Sequence, residues 1–263
     1  MSAASKIEWT DATWNPVRAR LLTSTGLTKV GTHCEHVSEG CRFCYAETFN
    51  RRGLPGAGTG LDYKPGHRNS LEHFLDEKML LAPLRRRKPT RYFLSSLTDV
   101  FGAWVTDAML DRLFAVMALC PQHVFQVLTK RPERARAYLM GDRQDQINAE
   151  AGTMMHYDRM PDAIDWPLPN VWLGTSVEDQ SSRQRLLDLA ATPAAVLFMS
   201  GEPLIEGVSL TDIPMNGGPD EHGIQWLFNA LTGEQYFRGD DGFTYGGDGP
   251  EMAPLDWVMA GGE

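Results

Sequence analysis

A chain of 263 residues, 42% hydrophobic and 22% charged, has the composition of a globular protein and the length for one large α/β domain or two small ones. No apolar run approaches the 18 or so residues of a membrane span, and the opening Met1-Ser-Ala-Ala-Ser-Lys-Ile-Glu-Trp9 lacks the apolar core of a secretory signal. The formal charge of −9 is unevenly spread: residues 1–200 carry 24 Lys and Arg against 22 acids, whereas residues 201–263 carry Arg238 alone against 12 acids. The acidic stretch is thereby excluded as a phosphate-binding surface, which would need Lys and Arg.

In chain order, Trp9 and Trp14 flank Asp11 and Asn15-Pro16, a turn-rich start. Val17–Leu22 is expected as a first strand leading into a cysteine loop. Residues 45–52 predict a helix, stopped by Gly53 and Pro55. Residues 53–70 are Gly-rich but neither follow a strand nor open a helix, so they read as a surface loop and not as a dinucleotide fingerprint. Residues 71–84 have helical apolar spacing, and Arg85-Arg-Arg-Lys88 after them reads as a solvated basic loop.

From residue 90 strands and helices alternate. Strands are expected at 92–97, 124–129, 171–176, 195–200 and 256–260. Helices are expected at 107–120 with Thr106 as N-cap, at 132–140 with Pro132 in the first turn, and at 181–191. Residues 141–169 and 207–253 read as insertions, the second with a hairpin around 224–228 and 235–237. With Val17–Leu22 the count is six strands. Such alternation implies a parallel sheet with covered faces, curled into a barrel or laid open as a doubly wound sheet. Five of the strands end in polar residues or glycine: Ser95-Ser96 with Asp99, Lys130-Arg131, Thr175-Ser176 with Glu178, Gly201-Glu202, and Gly261-Gly262-Glu263. In parallel α/β folds chemistry collects at those carboxyl ends.

Three of the four cysteines, Cys34, Cys41 and Cys44, fall within eleven residues as C-x6-C-x2-C. Three-plus-one cysteines are no disulfide framework, which points to a reducing cytoplasm. Thiolates are the soft ligands of zinc and of iron–sulfur clusters. A structural zinc site is normally closed by a fourth ligand, for which His33 and His36 are at hand. A [4Fe-4S] cluster held by three cysteines keeps one iron open. The spacing alone allows both. Cys120, in an apolar helix, reads as a small buried hydrophobe.

A three-cysteine loop after the first strand of a six-stranded βα array resembles the radical S-adenosylmethionine (SAM) superfamily, where the first gap is commonly three residues and not six. More closely, the chain is similar to an uncharacterised phage and bacterial family of radical-SAM-like proteins. The likeness is carried by Trp14-Asn-Pro16, Ser38-Glu-Gly-Cys-Arg-Phe-Cys-Tyr-Ala-Glu47, Leu128-Thr-Lys-Arg-Pro-Glu-Arg134, Val171-Trp-Leu-Gly-Thr-Ser-Val-Glu-Asp179, Ser200-Gly-Glu-Pro-Leu204 and Trp257-Val-Met-Ala-Gly-Gly-Glu263. It implies a single domain, a partial (β/α)6 barrel whose last strand lacks the helix that follows it in the family. It implies a [4Fe-4S] cluster on Cys34, Cys41 and Cys44, SAM on the open iron, and reductive cleavage of SAM to a radical that abstracts hydrogen from a substrate.

Around SAM the resemblance places Phe43 near the adenine, with Tyr45 beside it. Lys130 and Arg131, by their place at a strand's carboxyl end, are candidates for the SAM carboxylate or a substrate phosphate, and Arg185 is a candidate for the carboxylate. Asp99, Glu178 and Glu202 are candidates for ribose or ammonium, and Ser96, Thr175 and Ser176 complete the rim. A reductant protein, a nucleic acid or nucleotide as substrate, and a partner chain covering the C-terminal edge are the implied partners. The competing expectation is a zinc-stabilised, non-catalytic βα protein that binds a partner chain.

Overall fold

Five short apolar segments and one three-residue strand build the centre of the protein. Its structure, a computed structural model, describes residues 7–22, 28–53, 58–155, 164–215, 218–219, 223–238, 244–247 and 252–260. The first half of the chain runs β1 (Ala12–Trp14), β2 (Val17–Leu22), β3 (Thr28–Gly31), α1 (Tyr45–Arg51), β4 (Leu71–Leu75), α2 (Glu77–Leu80), β5 (Arg91–Leu94), α3 (Asp107–Ala118) and β6 (Val124–Thr129). The second half runs α4 (Pro132–Leu139), α5 (Gln144–Met154), β7 (Val171–Ser176), α6 (Arg185–Ala190), β8 (Val196–Gly201), the short strands β9 (Ile213–Pro214), β10 (Leu227–Phe228), β11 (Gln235–Arg238) and β12 (Thr244–Gly246), and β13 (Trp257–Ala260).

The fold is mixed α/β around one parallel sheet of six strands, in the order β1-β5-β6-β7-β8-β13. Spatial order follows chain order, so every crossover steps the same way. Right-handed crossovers of that kind keep the connecting helices on one face. Residues alternate between the two faces of each strand. Tyr92, Leu94, Phe125, Val127, Leu173, Leu197 and Met199 join the main core with α3, α4 and α6. Phe93, Gln126 and Phe198 are buried on the other face, where Trp9 packs 4.7 Å from Phe93 and Trp257 packs 6.2 Å from Phe198 between ring centres. Burial on both faces explains why the inner strands read as near-continuous apolar runs.

Thr106 caps α3 by accepting from the Met109 amide. Buried Asp111 on α3 accepts from the Tyr138 hydroxyl at 2.9 Å and from the Arg143 guanidinium, which fixes α3 against α4 and the start of α5.

Two expectations are corrected. Val17–Leu22 is not the first strand of the parallel sheet: it is the centre of a separate antiparallel sheet, β3-β2-β4. The first parallel strand is Ala12–Trp14, pairing with Tyr92–Leu94. Three residues ending before Asn15-Pro16 are too short to form a recognisable apolar run. Residues 71–84 are not one helix. Leu71–Leu75 pairs with β2, and Asp76 then accepts from the Met79 amide at 3.0 Å to start α2. The insertion at 141–169 contains α5, and the expected hairpin at 207–253 is the β10–β11 pair. Gly261-Gly262-Glu263 lies outside the described residues.

Gly174 on β7 has no room for a side chain, because a Cβ there would run into the buried Phe198 ring on β8. Gly174→Ala should therefore lower the unfolding free energy by about 1–3 kcal/mol, the usual cost of overpacking a core, measured by urea denaturation.

Candidate functional site

The loops leaving β5, β6, β7 and β8 at their carboxyl ends meet the cysteine loop around a cavity of about 180 Å³. Its wall includes all three thiols, Cys34, Cys41 and Cys44. It also includes Phe43, Tyr45, Ser95, Ser96, Asp99, Lys130, Arg131, Ser176 and Glu202.

Local turns set the cysteine spacing. The Cys41 amide donates to the Ser38 carbonyl at 3.1 Å and the Cys44 amide to the Cys41 carbonyl at 3.2 Å, closing a 3-10 turn over Glu39–Phe43. α1 then starts directly after Cys44. Gly40 is required inside that turn, since a Cβ would lie 2.6 Å from Glu178 Cγ. Asn50 ties α1 to its surroundings: its Oδ1 accepts from the amides of Thr32 and Thr59, and its Nδ2 donates to Thr59 Oγ1 and the Leu61 carbonyl.

Two carboxylates anchor this loop to the sheet. Glu178, fully buried after β7, pairs with Lys130 Nζ, accepts from Arg185 Nη1 at 2.9 Å, and accepts from Ser38 Oγ at 3.4 Å on each oxygen. Asp99, buried after β5, accepts from Thr129 Oγ1 (2.7 Å), the amides of Phe101 and Lys130 (both 3.0 Å) and Arg131 Nη1 (2.8 Å). Arg131 in turn donates from Nη2 to the Glu35 carbonyl at 2.8 Å and lies 5.0 Å over the Trp104 ring. Thr98 Oγ1 donates to the His33 carbonyl, Tyr45 donates to the Ser96 carbonyl at 2.7 Å, and Tyr63 donates to the Leu97 carbonyl at 2.8 Å.

The three thiols differ electrostatically. Burial, reinforced by the Asp99 carboxylate, pushes Cys34 up to about 12. Burial also raises Cys44. At Cys41 the burial effect is outweighed by the Lys130 ammonium and by bonds from Val37 and Ser38, which hold this thiol below its ordinary value. The Val37 amide donates to Cys41 Sγ at 3.5 Å. Cys41 is therefore the thiol most readily ionised.

The sequence candidates separate into two groups. Phe43, Tyr45, Ser96, Asp99, Lys130, Ser176 and Glu202 share the cavity with the cysteines. Thr175, Glu178 and Arg185 are not on its wall: Thr175 Oγ1 donates to the Thr129 carbonyl at 2.8 Å, and Arg185 holds Glu178 and the Ser176 carbonyl. Of the three acids, Asp99 and Glu178 are saturated. Glu202 is exposed and makes no hydrogen bond or ion pair among the described residues.

His33 is buried against Tyr63, His73 and Trp104, and His36 lies 3.2 Å from Glu47; neither lines the cavity. Among the described residues, no three His, Cys, Asp or Glu side chains gather closely enough to hold a single metal ion. Ser38, Asn50 and Tyr63 are site residues that sequence reasoning passed over, and Ser95 entered it only as one of the polar residues at a strand end. Of the first three only Ser38 carried a signal, by lying three residues before Cys41.

The family described as "Protein of unknown function (DUF5131)" matches residues 4–263. Comparison with curated proteins and with solved structures finds no match.

Removing the Glu178 carboxylate leaves Lys130 and Arg185 without their shared counter-ion. Glu178→Ala should cost about 3–5 kcal/mol of stability, the range for breaking a buried pair from one side, read from chemical denaturation. A second expectation concerns pH. Burial holds His73 at about 4, whereas in the unfolded chain it takes up a proton near 6.5. Between those values the unfolded state binds more protons, so stability falls as pH drops from 7 towards 4.5. The melting temperature of His73→Gln should depend less steeply on pH than that of the wild type over that range.

Proposed function

The chain belongs to the DUF5131 family, and from the cavity its cysteines line we propose that it is a radical SAM enzyme, with a [4Fe-4S] cluster held by Cys34, Cys41 and Cys44. The observation that carries this reading is the placing of three thiols, without a histidine, around one cavity at the carboxyl edge of a sequentially ordered parallel sheet. Three soft donors spread over a cavity wall suit a group several ångströms across. Lys130 and Arg131 beside them offset thiolate charge. The six-stranded order supports a partial barrel of the radical SAM type.

When bound, the cluster and SAM supply the electron and the scissile sulfonium bond from which hydrogen abstraction starts. The chain's own residues bind and orient. Glu202, the one unpaired acid among the three candidates, suits the ammonium of an amino-acid moiety. Lys130, paired with Glu178, places positive charge beside Cys41. Phe43 and Tyr45, 70% and 50% exposed, offer ring faces to an adenine. Val37, Phe49, Leu204 and Ile205 are also exposed on the cysteine loop, on α1 and after β8. This apolar surround gives a substrate and a reductant protein a surface to meet; a nucleic acid or nucleotide in the cytoplasm is the proposed substrate class.

Anaerobic reconstitution with iron and sulfide should give a brown protein that converts SAM to 5′-deoxyadenosine and methionine on reduction. Cys34→Ala, Cys41→Ala and Cys44→Ala should each lose the cluster, while Cys120→Ala, in the core, keeps it. A colourless protein holding one zinc per chain after that treatment, or full cluster content in Cys44→Ala, would overturn the assignment.

A further inference from the structure

Ser95 is the residue at which β5 turns into the cavity wall, and two independent features set it apart. Its φ of 56° makes it the only non-glycine residue with a left-handed backbone among the described residues. That region suits glycine, and a serine held there is under strain. Its side chain is also isolated. Ser95 is 3% exposed, and its hydroxyl has no hydrogen-bond partner. Buried hydroxyls are normally satisfied. The backbone of Ser95 is committed: its amide donates to the Trp14 carbonyl at 2.8 Å and its carbonyl accepts from the Thr98 amide at 3.1 Å. The neighbouring Ser96 hydroxyl is satisfied by the Asn15 amide group at 3.1–3.2 Å. Of these two adjacent serines, Ser95 has the hydroxyl left over, and Ser95 lines the cavity that the three thiols share.

A strained backbone and an unpaired buried hydroxyl both cost stability, and both fall on one residue facing the site. Glycine would relieve the first and alanine the second, so neither feature serves the fold. We infer that Ser95 is a ligand-contact residue, its hydroxyl hydrogen-bonding a polar atom of the sulfonium cofactor that fills the cavity. This rests on the radical SAM reading of the same cavity.

The test compares wild type, Ser95→Ala and Ser95→Gly after anaerobic reconstitution. It measures cluster content, SAM dissociation constant by equilibrium dialysis, and the unfolding temperature of the cofactor-free proteins. The expected result is equal cluster content, an unfolding temperature unchanged or raised in Ser95→Ala and raised in Ser95→Gly, and SAM binding weakened about tenfold in both, the size of one hydrogen bond. If Ser95→Ala binds SAM as tightly as wild type, the hydroxyl meets only water and the inference falls while the enzyme reading stands. A lowered unfolding temperature in cofactor-free Ser95→Ala shows a structural hydroxyl and also overturns it. Wild-type protein that carries the cluster and binds no SAM sinks the radical SAM reading together with the inference.

Discussion

The fold and the site depend together on one carboxylate kept out of water. Glu178 is buried with Lys130 from the β6–α4 turn on one side, Arg185 from α6 on another and Ser38 from the cysteine turn on a third. An ion buried this way is tolerable only with such company. Satisfying it brings three distant stretches of chain to one point. The geometry is strict enough that the turn passing over it must have glycine at position 40. Asp99 acts in the same way from the loop after β5, through Arg131 to the Glu35 carbonyl. The cysteine loop is thus bolted to the sheet by two saturated acids, in addition to the packing of Cys34 against the core.

That arrangement divides the polar groups around the cavity into fixed and available ones. Lys130 and Arg131 have their directions set by Glu178 and Asp99, so their charge stands beside the thiols without a search through rotamers. Glu202, the Ser95 hydroxyl and the rings of Phe43 and Tyr45 remain to meet something else. A binding site is efficient when its fixed charges are preorganised and its free groups are few. The division also separates residues that look alike in sequence: three acids follow three strands, and two of them are internal bolts.

Much of the sheet was legible because β6, β7 and β8 are buried on both faces and spell apolar runs. The cysteines were legible because C-x2-C beside a third cysteine has few structural uses. The losses have physical causes. Leu71, Phe74 and Leu75 have helical spacing, but pairing with β2 overrides it. Ala12–Trp14 is a strand only because β5 lies beside it. Asn50 and Tyr63 matter through partners far along the chain or in an irregular loop, which no local pattern reveals. Ser95 was legible only as a polar residue at a strand end; its left-handed backbone and unpaired hydroxyl have no sequence signature.

The sheet's sequential order has a temporal side. Cys44 precedes Lys130 by 86 residues and Glu178 by 134. At a ribosomal rate of about 5–20 residues per second, the nascent chain carries all three thiols for roughly 7–27 s before the carboxylate that clamps their loop is made. Until residue 131 is made the loop also lacks the full set of Asp99, Lys130 and Arg131, and after that it waits for Glu178 alone among the two anchoring acids. The order in which the chain is written therefore makes the closing of the cysteine loop one of the last steps in assembling this rim.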